Sequence, residues 1–324
     1  MWVRNSPISE KNFWFFWIFP SGKFRLLIAV ARTKALTIFS GSDRKVSIES
    51  SVRMQKNKSR MSLIFLILFF LLGIFSLWGV YLFLPTLPQP QSYHRFAGSP
   101  LYNIWSSLVF IPLGIWGMTA ARSMHRSAGC FLWMIFFASV VFIGLGSAYY
   151  HGDPTDFRLM GDRLPIAVAL MTFISIFFGE EAGTVWANRL FFPLAGLGVL
   201  IVVVWMVGEA RGEGDLRLYV WLHLFALLTL FLFIFRPMAL RRRFFLMAAG
   251  LLFAGSKLLE FYDHQIFSHL YVSGHMLKHL TGAGAVYCLI LYCRASVGHG
   301  LRGSPWGIKA EPNLKASSIC SRFR

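Results

Sequence analysis

Charge is the scarcest commodity in this sequence. Only 14% of its 324 residues are charged, against about 25% in an ordinary soluble domain. Acids are rarest of all, 14 Asp and Glu against 32 Lys and Arg. Such a deficit excludes a soluble globule of this length, because 56% of the chain is hydrophobic and falls in long blocks. Cysteine is nearly as sparse. Its four positions (Cys130, Cys288, Cys293, Cys320) have neither metal-ligand nor disulfide-framework spacing, which excludes a zinc ribbon or a stapled secreted scaffold. Internal repeats are absent too, and with them the paired inverted halves of a typical secondary transporter.

What is present is hydrophobic length. Ser62–Leu84 runs 23 residues without a charge, enough to cross a hydrocarbon core of roughly 30 Å. Seven more apolar segments follow, at about 103–121, 129–150, 164–180, 189–208, 217–235, 243–261 and 274–293. The expected fold class is an all-α, polytopic membrane helix bundle. The organisation expected is a basic, disordered extension over 1–61, a membrane domain over 62–293 and a basic cytoplasmic tail over 294–324.

The net charge of +18 sits mostly in the ends. Residues 1–61 hold twelve Lys/Arg against three acids and residues 294–324 six against one, together +14. Basic flanks of a membrane domain act as topology signals and headgroup contacts, not as a nucleic-acid surface. The four arginines of Arg236–Arg243 add to the basic side, so both termini are expected in the cytoplasm. That topology brings the end of the third segment at His151, the start of the fourth near Asp162 and the start of the eighth at His275 to the non-cytoplasmic face. The protein would be multi-pass in a bacterial inner membrane or, in a eukaryote, in the ER or Golgi.

Those three clusters carry the chemistry. His275 and His279 in S-G-H-M-L-K-H-L are four apart, on one face of a helix and within reach of one ion. Ser147 and His151 share a face in the same way at the end of another helix. Three imidazoles plus a water are the ligand set of a catalytic zinc. A carboxylate such as Asp162 can take the water's proton, and a hydroxyl such as Ser147 can hold a carbonyl oxygen as it gains charge. Plainer readings stand beside these. Ser147 can bond a backbone carbonyl one turn back, and Asp162 can cap the fourth helix. Asp153 and Asp156 suit turns around Pro154. Lys257 and Glu260 can pair or line a cavity. Lys278 points away from His279, which suits a headgroup contact. His264 and His269 are alternative ligands, whereas His94 and His223 have no partner by spacing.

At these residues the sequence resembles the alkaline ceramidase family of seven-helix membrane hydrolases, whose superfamily includes the adiponectin receptors. The likeness is carried by G-S-x-x-x-H (Gly146–His151), D-R-L-P eleven residues after the histidine, and G-H-x-x-K-H (Gly274–His279). Y-H-R-F-A-G, Asn103 and Ser106–Ser107 are similar to the first core helix of its bacterial and plant branch. G-D-L-R (Gly214–Arg217) and K-L-L-E (Lys257–Glu260) also match, over roughly 62–293. The resemblance implies a seven-helix core with one extra N-terminal helix. It also implies a zinc amidohydrolase that splits ceramide, a membrane lipid, with His151, His275 and His279 on zinc. Asp162 would handle the water's proton and Ser147 would hold water and substrate carbonyl. The family's acidic calcium site has no counterpart in Arg95–Ile104, where Gly98 replaces an aspartate, so neither Ca2+ regulation nor strict ceramide specificity carries over. Hydrolysis of another acyl lipid (an ester or an N-acyl amino lipid) and a receptor with a structural zinc remain as alternatives. The M-Q-K-N-K-S-R-M stretch resembles a positive n-region, so residues 1–55 are read either as disordered or as preceding a biological start at Met54 or Met61; N-terminal sequencing of the native chain decides between the two.

Overall fold

In a computed structural model the chain is described for residues 64, 66–89, 91–94, 96–124 and 129–297. The extension expected at 1–61 and the tail beyond 297 lie outside these residues. Everything regular here is helical, with no strand among the described residues. That is what hydrocarbon requires, since only an intra-segment ladder satisfies every backbone N–H and C=O away from water.

Eight spans are long and apolar enough to cross a membrane. They are built from α1 (Leu66–Phe83), α2 (Pro100–Leu108) with α3 (Phe110–Arg122), α4 (Cys130–Gly152), α5 (Asp156–Ala182), α6 (Thr184–Ala210), α7 (Arg217–Ile234), α8 (Leu240–Phe261) and α10 (Gly274–Val297). The short α9 (Asp263–Leu270) joins the last two, and a 3-10 turn over Gln91–His94 precedes α2. The expected eight segments are all present, and the protein is a multi-pass helix bundle. Large apolar side chains stay exposed around it, such as Trp78, Phe83, Phe192 and Leu251. In water they would be a liability; in lipid they are the solvent-facing surface.

Proline sets the shape of two spans. Pro112 has no N–H for the carbonyl of Leu108, and the helix breaks at Val109 between α2 and α3. Pro165 lies inside α5 and likewise leaves the carbonyl of Gly161 without its intrahelical donor. Against that carbonyl packs Gly146 of α4, where a Cβ would come within 2.5 Å of the oxygen. The two helices therefore touch backbone to backbone beside Ser147 and Asp162.

The connection between α4 and α5 is shorter than its composition indicates. Polar residues from Gly152 to Gly161 read as a hairpin, but only Asp153–Thr155 are outside helix. Thr155 accepts from the N–H of Arg158 and caps α5, so Asp162 is not the cap and lies in the second turn. α1 is peripheral. It docks through Phe69 on Phe178 of α5 and Phe225 of α7, and the Trp221 indole donates to the carbonyl of Gly73.

These contacts predict that Gly146→Ala lowers the thermal midpoint of the purified protein. Overpacking against backbone costs about 1–3 kcal/mol. Gly161→Ala faces open space and should leave the midpoint unchanged, as a melt in detergent followed by intrinsic fluorescence would read.

Candidate metal centre

Three helix ends meet at one end of the bundle. His151 lies in the last turn of α4, and His275 and His279 lie in the first two turns of α10. All three are buried, at 1%, 3% and 3% exposure. Their ring centroids form a near-equilateral triangle of 4.9, 4.9 and 5.2 Å. One nitrogen from each ring lies within 4.8 Å of the other two. This is the one group of three or more potential ligands found among the described residues.

The start of α10 is fixed from several sides. Ser273 accepts from the N–H of Met276 and caps the helix. Asp263, buried on α9, accepts from the Ser273 hydroxyl, the N–H of His275 and the N–H of Ala97. Gly274 permits this, because a Cβ there would lie 2.4 Å from the carbonyl of Leu259. By holding Ala97, Asp263 also seats Phe96, whose ring lies 4.6 Å from His151 and 4.5 Å from His275. Phe96 follows a strap tied down by neighbouring contacts. Tyr93 donates to Glu260, His94 bridges the Tyr150 hydroxyl and Asp156, and Gln89 accepts from Arg163. Burial and then the negative charge of Glu260 hold the Tyr93 phenol well above its ordinary value, so it stays a donor.

The proton positions of His279 can be read from its partners. The Ser106 hydroxyl donates to the carbonyl of Asn103 at 3.1 Å and so accepts from Nδ1–H of His279 at 2.9 Å. Nε2 is left with its lone pair turned inward, the usual way in which an outer partner orients a metal-bound histidine. His151 is different: both its nitrogens are buried and neither has a partner among the described residues. A buried polar atom without a partner costs about 1–3 kcal/mol, a cost that coordination would remove. Imidazole donors at this spacing fit a transition metal.

Ser147 and Asp162 join the triad. Ser147 Oγ is 3.4 Å from Nε2 of His279, and Asp162 lines the same cavity as both. All five residues singled out by spacing are therefore brought together. His264 and His269, the alternative ligands, are exposed on α9 and take no part. Asp153 and Asp156 do more than turn the chain. The first pairs with Arg158 and the second with His94.

Lys278 corrects its expectation. Instead of reaching a headgroup it folds inward, 2.7 Å from Glu260 Oε1 and 3.2 Å from His275 Nε2. Glu260 also takes Lys257 at 3.3 Å. In an apolar interior a carboxylate within reach outcompetes snorkelling. Ser106, Asp263 and Phe96 were not marked as site residues by spacing. Each contributes through a contact between elements distant in sequence, and only Phe96 and Ser106 had a signal, in the match of Y-H-R-F-A-G, Asn103 and Ser106–Ser107.

Beneath the triad lies a cavity of about 160 Å³. Its walls are apolar, including Phe136, Val140, Leu170 and Leu230, and its polar lining includes Ser147, Asp162 and His279. The chain matches no protein-family model and no curated protein.

Removing the outer partner should weaken the centre without emptying the fold. Ser106→Ala is expected to lower metal affinity about 10- to 100-fold, whereas His151→Ala should abolish binding. Competition with a chromophoric chelator on the purified protein measures both.

Proposed function

We propose that the protein is a zinc-dependent membrane hydrolase that cleaves the N-acyl bond of ceramide or a related lipid. The observation that carries this reading is the joining of a buried three-histidine centre, a carboxylate and a hydroxyl at the polar end of an apolar cavity. The motifs shared with alkaline ceramidases support the amide as the bond attacked. Sphingolipid metabolism is then the setting.

A zinc ion held by His151, His275 and His279 would polarise the scissile carbonyl and lower the pKa of a coordinated water to about 7. The remaining work falls to side chains. The cavity takes the acyl chain and brings the carbonyl carbon against the histidines. Asp162 accepts the proton of the attacking water as the new C–O bond forms, then returns it to the nitrogen as the C–N bond breaks. Ser147, on the same cavity wall as Asp162, turns its O–H toward the carbonyl oxygen as negative charge collects there. Phe96 and its strap cover the histidines, which limits bulk water at the reacting atoms. The products are a fatty acid and a long-chain amine, and the lipid enters from the bilayer on the non-cytoplasmic side.

A purely structural zinc would leave Asp162 and Ser147 idle, and this separates the two readings. Wild type should carry about one zinc per chain and release fatty acid from an N-acyl lipid. Asp162→Asn should keep the metal and lose turnover by about 10²- to 10⁴-fold. Metal analysis beside an acyl-release assay decides, and an enzyme indifferent to Asp162→Asn would overturn the mechanism.

A further inference from the structure

Part of the cavity wall is polar in a way that the proposed chemistry does not use. His223 of α7 lines the cavity. Its Nδ1 lies 2.9 Å from the carbonyl oxygen of Tyr219. A carbonyl only accepts, so Nδ1 carries the proton and Nε2 presents a lone pair. That Nε2 is buried and has no partner among the described residues. An unmet acceptor in an apolar wall costs about 1–3 kcal/mol. A ligand that donates to it would recover much of that cost.

Close by is a donor. Lys257 of α8 lines the same cavity, and its ammonium uses one hydrogen bond on Glu260, leaving further N–H groups. Both groups lie against the ring of Phe253. The imidazole stacks on it at 6.0 Å and 4°, and the ammonium is 6.0 Å from its centroid. Depth matches as well. His223, Lys257, Asp162 and His279 each sit one to two turns inside the same end of the bundle. The acceptor and donor therefore face the cavity at the level where the amide would be hydrolysed.

We propose that His223 and Lys257 form a hydroxyl-binding subsite. It would take an N-acyl lipid with a hydroxyl a few bonds from its amide. The hydroxyl donates to Nε2 of His223 and accepts from the ammonium of Lys257. An anionic group would meet the lone pair of His223 unfavourably, and a plain alkyl chain would leave both groups unmet. The pair thus selects for a neutral hydroxyl. The subsite rests on the hydrolase reading for its substrate, but it is tested by binding.

The probes are two N-palmitoyl amides of one long-chain amine, identical except for a hydroxyl on the carbon beside the nitrogen-bearing carbon. Binding to the full-length protein in nanodiscs is followed by intrinsic fluorescence. Wild type should hold the hydroxylated amide about tenfold more tightly, the scale of a hydrogen bond to a charged partner. His223→Phe keeps the stacked ring and Lys257→Met keeps the stem; each should reduce the preference to about twofold or less. The inference is overturned if wild type has no preference, or if the preference survives in whichever variant folds by size exclusion and circular dichroism. Palmitate release is measured in parallel. Release without a binding preference sinks the subsite alone. A preference that both variants lose, without release of either amide, leaves the subsite standing and sinks the hydrolase.

Discussion

One end of this bundle is organised around two nitrogen atoms that no described residue satisfies. His151 is buried with neither ring nitrogen bonded to another described residue, in surroundings where an orphaned polar atom is expensive. A span of hydrocarbon-compatible length would avoid such a residue unless something compensated it. His275 and His279 supply the rest of a triangle in which one ion can do so. The other polar contacts then follow from holding that triangle still. Ser106 orients His279, Asp263 fixes the start of α10 and the strap before Pro100, and Phe96 fills the remaining side.

Close approach makes the arrangement possible. Gly146 against the freed carbonyl of Gly161, and Gly274 against that of Leu259, let helix axes draw nearer than side chains would permit. Glycine is tolerated in membrane helices for such packing. The far end of α5 uses different means, with Glu180 paired to Arg242 and hydrogen-bonded by Tyr292. Eighteen residues separate Glu180 from Asp162, roughly 27 Å of helix, so the two polar layers are electrostatically distinct.

Much of this was legible in the sequence for reasons that can be named. Hydrophobic length fixes where spans fall, because the bilayer sets one thickness for all of them. Spacing of four placed Ser147 with His151 and His275 with His279, and alternating topology brought the three helix ends together. Local chemistry misled in two places. The polar stretch after His151 looks like a loop, yet Thr155 caps a helix that begins six residues before Asp162. Lys278 looks like a headgroup anchor because spacing along α10 says nothing of Glu260 on α8. Asp263 was illegible for the same reason, and although Phe96 stands inside Y-H-R-F-A-G, no periodicity reports its packing on His151 and His275. The tautomer of His223 depends on a carbonyl one turn away, which only coordinates reveal.

His151 belongs to the third of the eight spans and both of its companions to the last. A ribosome must therefore deliver nearly the whole membrane domain before the triangle can close. Until α10 enters the bilayer, Ser147, His151 and Asp162 sit in an inserted but unfinished assembly with no place for an ion. Metal capture would in this sense come late in biogenesis, open only to chains whose final helix has found its groove. A truncated or misthreaded copy would remain metal-free, and the membrane would be spared a half-built centre.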